Sequence, residues 1–411
     1  METNWFKEVS FFSMTYNDGD DVWFVGENYS LLFKMSLKGN QLKNVIRIED
    51  EDFETFRKYW RLQRIGSKLF LIPHASDRIA VFHTDKNVFS FIYLEKTLSN
   101  CLSCVRVNEN LYLISESEIV IVDIRKEKIV EYIPIPDYGK LVSEVALLVN
   151  GHILIPLIFQ TGVIDFCIDE KRFSYFQLEG KISGFVTGVV DGINVWLAGD
   201  KGSIIQWNYG TNQTISYDVA PDGFDSYNYD EKGNFIPWGS GWTSGISFQY
   251  WYQCALLCDT VWFIPAYSNS LLYIDKKSQT LQKYTLEAEN KTSPIMEHYG
   301  YVEFLLVGVY KNRYIKIYST KRDVIYNIDV LQLTHKVEFI SISSNISLDF
   351  VRKEYLGCIE KKSVQHGIKE NSHISMLDML EFLNGKTTSV MNHQIGASIY
   401  ENVKADMEVN N

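Results

Sequence analysis

Cysteine is scarce: there are six among 411 residues, at positions 101, 104, 167, 254, 258 and 358. So thin a set cannot act as the framework of a disulfide-built domain, and reduced thiols are expected. Residues 1–10 (METNWFKEVS) contain no apolar leader. No later stretch reaches the roughly 18 consecutive apolar residues of a membrane helix. A cytoplasmic location is the expectation. Positive charge is also short, with 40 Lys and Arg against 51 Asp and Glu, a net charge of −11 and a pI near 5.3. That balance leaves no basic field for nucleic acid or an anionic membrane. Cys101 and Cys104 spell CxxC, but no second CxxC follows. Buried structural thiols are therefore expected rather than a metal or redox centre.

Apolar material is abundant. Hydrophobic residues make up 46% of the chain and aromatic residues 14%, including 25 Tyr and 24 Phe. This is too apolar for disorder and sufficient for a large β core. The apolar residues recur in one short unit: VWFV (22–25), LFLIP (69–73), LYLI (111–114), ILIP (153–156), VWLA (195–198), VWFIP (261–265) and a weaker YIKIY (314–318). With Trp23, Phe70, Tyr112, Leu154, Trp196, Trp262 and Ile315 taken as equivalent, the steps are 47, 42, 42, 42, 66 and 53 residues.

A second apolar run follows each anchor after a polar bend, as in RIAVF (78–82) and EIVIVD (118–123). A third, alternating run comes next, as in KIVEYIPI (128–135), and another strand candidate precedes each anchor, as in CLSCVRV (101–107). Consecutive apolar positions require strands buried on both faces, whereas alternation marks an edge. Four strands every 40 to 50 residues predict an all-β, seven-bladed β-propeller over residues 1–350. Six or eight blades would also fit, because the first and last units are the least regular. A β-sandwich would not need this period, and an open solenoid would need polar caps that are not evident.

The best copies of the repeat are DTVWFIPAYSNSLLYIDKKSQTLQKYTL (259–286) and NENLYLISESEIVIVDIRKEKIVEYIPIP (108–136). Over roughly residues 10–341 the pattern resembles the streptogramin-lyase-like propellers and their non-enzymatic relatives in bacterial regulators and surface proteins. The resemblance implies the fold. For the lyases of that group it also implies a histidine and carboxylate constellation with magnesium on the central face. No positions of this sequence match that constellation residue by residue, so no cofactor and no metal ligand is assigned.

In such a ring, the bends between second and third strands and the links between blades open on one face, where binding sites collect. His74 and Arg78 lie in one of these bends. His74 is expected to face the opposite end of its blade from His152. The 66-residue step inserts a segment between the fifth and sixth blades, PDGFDSYNYDEKGNFIPWGSGWTSGISFQYWYQ (221–253). Tyr227, Tyr229, Phe235, Trp238, Trp242 and Trp251 within it are candidate ligand-binding rings, since a mere spacer would not expose so many. The equally weighted structural alternative is that these rings plug the axis or pack over a blade. The link EDEDFETFRKYWR (49–61) adds Arg57 and Trp60 to the candidates.

Residues 351–411 read as a linker and a short helical tail. In SMLDMLEFLNG (375–385), Ser375 and Asp378 have capping-box spacing, and Met376, Leu377, Leu380 and Leu383 share one face. The tail either packs on the propeller or docks a partner. The expected function is a non-catalytic recognition or scaffold module for a protein, peptide or carbohydrate. A metal-dependent lyase or hydrolase with its site at the axis is the alternative.

Overall fold

The computed structural model describes residues 14–26, 30–48, 58–74, 76–95, 98, 101, 103–138, 143, 145–158, 160–179, 184–199, 204–217, 251–265, 270–286, 304–319, 324–343 and 346, with the backbone alone at 251, 252 and 304. The chain forms seven antiparallel sheets in sequence order, each of four strands from one consecutive stretch. These blades span residues 16–47, 59–93, 103–134, 147–177, 185–217, 251–285 and 304–338. The fold is a seven-bladed β-propeller. The predicted tail lies outside the described residues.

Each repeated anchor is the second strand of its blade, from Asp21–Val25 in blade 1 to Tyr314–Ser319 in blade 7. The reason for its unbroken apolar run is visible in blade 5. Val195 and Leu197 face blade 4, packing with Leu154 and Val163, whereas Trp196 and Ala198 face blade 6, packing with Val261 and Phe263. Successive side chains of a strand point to opposite faces, so a strand with a neighbouring sheet on each side must be apolar at every position. The core is accordingly divided into seven clusters, one in each gap between adjacent blades. Each fully buried Leu, Ile or Phe contributes about 1.5–3 kcal/mol.

Turn chemistry separates the two ends of the ring. First and second strands are joined by tight turns whose leading residue has positive φ: Gly19, Gly66, Asn108, Asn150, Gly192, Cys258 and Lys311. Third and fourth strands are joined by four-residue turns that place Asn40, Asn87, Glu127, Lys171, Asn212, Gln279 and Leu333 at positive φ, always at the same position. In three of these turns an aspartate at the end of the third strand caps the backbone. Asp123 Oδ1 accepts from the amides of Arg125 and Lys126, Asp275 Oδ1 from Lys277 and Ser278, and Asp329 Oδ1 from Leu331 and Gln332. All fourteen turns lie on the face opposite the links between blades.

Blade 7 meets blade 1 through polar groups as well as apolar ones. Asn17 Nδ2 donates to the Val309 carbonyl at 2.6 Å, and its Oδ1 accepts from the Val309 amide at 3.1 Å. Lys316 is only 1% exposed, and its ammonium donates to Asn40 Oδ1 at 2.6 Å and to Glu338 Oε2 at 3.0 Å. Burial holds the Lys316 amine below the usual lysine range, with Glu338 acting in the opposite sense. Burial alone would raise the Glu338 carboxyl, but the bonds from Lys316, Asn327 and Asn40 keep it below its usual range. The last contact is a two-residue strand, Ser341–Ile342, which pairs in parallel with Gln41–Arg47 as a fifth strand of blade 1.

A Cβ at Gly308 would stand 2.5 Å from Asn17 Oδ1. Gly308→Ala should therefore cost about 1–3 kcal/mol, read as a lower urea midpoint, whereas Gly39→Ala should leave the midpoint unchanged. The control is suitable because nothing lies within 4 Å of a Cβ at Gly39. Between blades 6 and 7, the Tyr284 hydroxyl lies 2.9 Å from His335 Nδ1, and burial holds this imidazole below its ordinary value of 6.5. The unfolded chain then takes up a proton that the folded chain resists. The contribution of His335 is complete above pH 6.5 and is lost as pH falls from 6.5 through the lower folded value. Urea midpoints at pH 7.5 and 5.5 should lie closer together in His335→Gln than in the wild type.

Candidate functional site

On the linking face of blade 2 the chain enters at Lys58, and the His74 amide bonds to the Lys58 carbonyl at 2.9 Å. A β-bulge between Tyr59 and Arg61 follows at once. The extra residue breaks the simple alternation and lets two large rings turn inward in succession. Tyr59 joins the cluster between blades 1 and 2, and Trp60 is buried with its ring edge-on to His74, 6.0 Å between centroids. Bulges recur at the same position in blade 5, between Phe185 and Thr187, and in blade 6, between Trp251 and Gln253.

The bend before the third strand is held by the Arg78 amide on Ser76 Oγ at 3.4 Å. Arg78 pairs in register with Tyr93. Its guanidinium lies 5.2 Å from the Phe91 ring centroid and 5.5 Å from that of Tyr93, and donates to the Tyr93 hydroxyl at 3.4 Å. An arginine stacked in this way gains about 0.5–1 kcal/mol per ring at an exposed site. Tyr93 is 63% exposed. Asp77 lies 3.4 Å from Arg78 Nε. Burial, and then the positive charge of Arg78, hold the Lys58 amine below the usual lysine range, with Asp77 opposing. Burial pushes the Tyr59 phenol up to about 12. The result is a ledge with a cationic centre and an aromatic rim.

A second ledge stands on the same face at blade 4. Tyr138, from the link before it, stacks on Tyr175 at 5.3 Å with 16° between planes. The Tyr175 hydroxyl donates to Gln177 Oε1 at 2.8 Å, and Gln160 Nε2 donates to the Tyr138 carbonyl at 3.4 Å. Gly162 permits this arrangement, since a Cβ there would collide with the Tyr175 ring. The sequence reading passed over Tyr138 and Tyr175. For Tyr175 the signal was the aromatic alternation of RFSYFQ (172–177) beside the polar bend at 160–161.

Of the ten candidate residues, His74 and Arg78 are brought to the blade 2 ledge. Trp60 sits beneath it, inside the blade rather than in the link. The backbone of Trp251 opens the first strand of blade 6, Trp251–Leu257. Tyr227, Tyr229, Phe235, Trp238, Trp242 and Arg57 lie outside the described residues. His152 does face the other end, where its Nδ1 lies 2.8 Å from the buried carboxylate of Asp165. Tyr209 of blade 5 donates to the same carboxylate at 3.0 Å, so the group ties blades 4 and 5 together. Among the described residues no three His, Cys, Asp or Glu side chains converge as a metal site would require.

Burial raises the Cys101 thiol far above its ordinary range and pushes Cys104 up to about 11, although Arg61 acts to lower both. Burial likewise lifts Cys254 to about 12. A thiol that burial holds protonated is a poor nucleophile. On alkylation of the native protein at pH 8, Cys258 should be labelled while Cys101, Cys104 and Cys254 react only after denaturation. Peptide mass spectrometry reads this directly, and labelling of Cys104 at the rate of Cys258 would contradict it.

At the level of fold the architecture resembles that of the streptogramin-lyase-like propellers, as the repeat implied. Among solved structures the chain is similar to virginiamycin B lyase from Staphylococcus aureus, with a TM-score of 0.53 and 11% identity, covering 74% of this chain and 90% of that chain. It is similar to a streptogramin B lyase at a TM-score of 0.53 and 13% identity, covering 74% and 89%. The computationally designed Ika8 protein also has a TM-score of 0.53, with 11% identity, covering 82% and 92%. At such identities the likeness is one of fold alone. No protein-family model and no curated protein matches the sequence.

Proposed function

We propose that this propeller is a non-catalytic recognition module or scaffold that takes a protein, peptide or carbohydrate ligand on the face where the blades are linked. The observation that carries this reading is the difference between the two faces. One is closed by fourteen short turns that repeat with the blades. At the other every link between blades begins and ends, including the tryptophan-bearing 33-residue segment 218–250, and it carries the Arg78 and Tyr138 ledges. Stacked arginine and tyrosine rings on a rigid support suit recognition, because little side-chain freedom is lost when a ligand arrives. A cytoplasmic, bacterial setting belongs to the same proposal.

The test is a thermal-shift screen of the wild type, Trp238→Ala/Trp242→Ala and Arg78→Ala against oligosaccharides, peptides and magnesium. A ligand at a hundred times its dissociation constant stabilises the folded state by about 2.7 kcal/mol. The expected outcome is a rise of a few degrees in wild type that the double tryptophan variant loses. A magnesium shift kept by all three proteins, with no shift from any organic ligand, would instead support the metal-dependent lyase or hydrolase.

A further inference from the structure

Ten large apolar side chains stand exposed among the described residues, and four of them fall on one short stretch of blade 7: Leu331 at 62%, Leu333 at 42%, Val337 at 45% and Phe339 at 65%. The outer strands of blades 2, 3 and 5 carry only one or two each, at Val88 and Tyr93, Val130, and Ile215. The blade 7 residues are ordered as well as numerous. His335 and Val337 share one flank of the outer strand Thr334–Glu338, Phe339 continues the alternation past its end, and Leu333 stands in the turn that leads into it. His335 identifies the flank, for it packs edge-on against Tyr284 of blade 6 and Tyr326. Glu338 points the other way, to Lys316 and to Asn40 of blade 1. An apolar stripe roughly 20 Å long therefore lies along the outer mouth of the groove between blades 6 and 7.

The sequence itself supplies a segment that fits. The last described residue, Ile346, stands seven positions after Phe339, and 65 residues follow it. Residues 375–385 read as an amphipathic helix. Eleven helical residues measure about 16 Å, close to the length of the stripe. Met376, Leu377, Leu380 and Leu383 supply an apolar face. The tether starts on the other flank of blade 7, where Ile346 packs against the cluster shared with blade 1, and its 28 residues between 347 and 374 would reach about 30 Å as a flexible chain, long enough to cross the blade to the stripe. Such a tether also gives an effective concentration on the order of millimolar, which favours the chain's own segment over a free partner.

We infer that segment 375–385 packs its apolar face along the Leu333, Val337 and Phe339 stripe of blade 7. The docking is intramolecular. It places the tail on the flank of blade 7, away from the ledges of blades 2 and 4.

The test uses the full chain with a photo-crosslinking benzoylphenylalanine at position 339. The expected result is a crosslink within the monomer, mapped by mass spectrometry to residues 375–385. It should be lost in Leu380→Asp/Leu383→Asp and absent when the probe stands at Lys336, on the opposite flank. The aspartates lie outside the propeller, so loss of the crosslink with an unchanged urea midpoint reports docking and not unfolding. A crosslink to residues 287–303, a dimer-sized product, no product at all, or a crosslink that survives the double aspartate variant would each overturn the inference.

Discussion

A strand that is apolar on both faces must have a neighbour on each side, and that condition forces the whole chain into a ring. No blade can stand at an end, because its outward face would put a row of Val, Ile, Leu and Trp side chains into water. Six of the seven gaps join blades that are consecutive in the sequence. The seventh must join the two most distant ones, and polar groups crosslink it: Asn17 on the Val309 backbone, and Asn40 with Lys316 and Glu338. Apolar surfaces slide with little change in energy, whereas directional bonds to a buried ammonium fix one edge against one partner.

The same ring divides labour between its faces. An antiparallel four-stranded blade must turn three times and then leave, so two turns fall at one end while one bend and the exit fall at the other. The tight end satisfies its own backbone through positive-φ residues and capping aspartates. The open end takes nearly all of the variation in length. Arg78 can be displayed there because the Phe91 and Tyr93 rings hold it, and Tyr138 because it stacks on Tyr175.

The architecture was legible because burial on two faces writes itself into composition. VWFIP and LFLIP are second strands, the following runs are third strands, and the equal 42-residue steps are equal blades. Local departures from period were not legible. The bulge at Tyr59 and Arg61 turns Trp60 into the blade, which neither its chemistry nor its place after an acidic run discloses. The closing strand is two residues long and pairs in parallel, too short to leave a pattern. The turns were legible only in part: Gly19, Gly66 and Gly192 announce positive φ, but Cys258, Lys311 and Leu333 adopt it with no such signal, held by the strands on either side. Of the site, the sequence named His74 and Arg78 but not the Phe91 and Tyr93 rings that position the arginine. Cross-strand neighbours are set by register, and register is a property of the folded sheet.

Closure by residues 341–342 also sets a timetable for synthesis. Blade 1 is complete once residue 47 has emerged, yet the groups that cover Val22, Phe24, Phe33 and Met35 lie at Leu305, Val307, Tyr318 and Ile325. At 5–20 residues per second, the ribosome needs roughly 15 to 60 seconds to make the intervening chain. For that interval the first blade has half of its core in water and a free outer edge. The nascent ring is thus most exposed to wrong partners at its earliest-made part, and the exposure ends only when the last blade arrives.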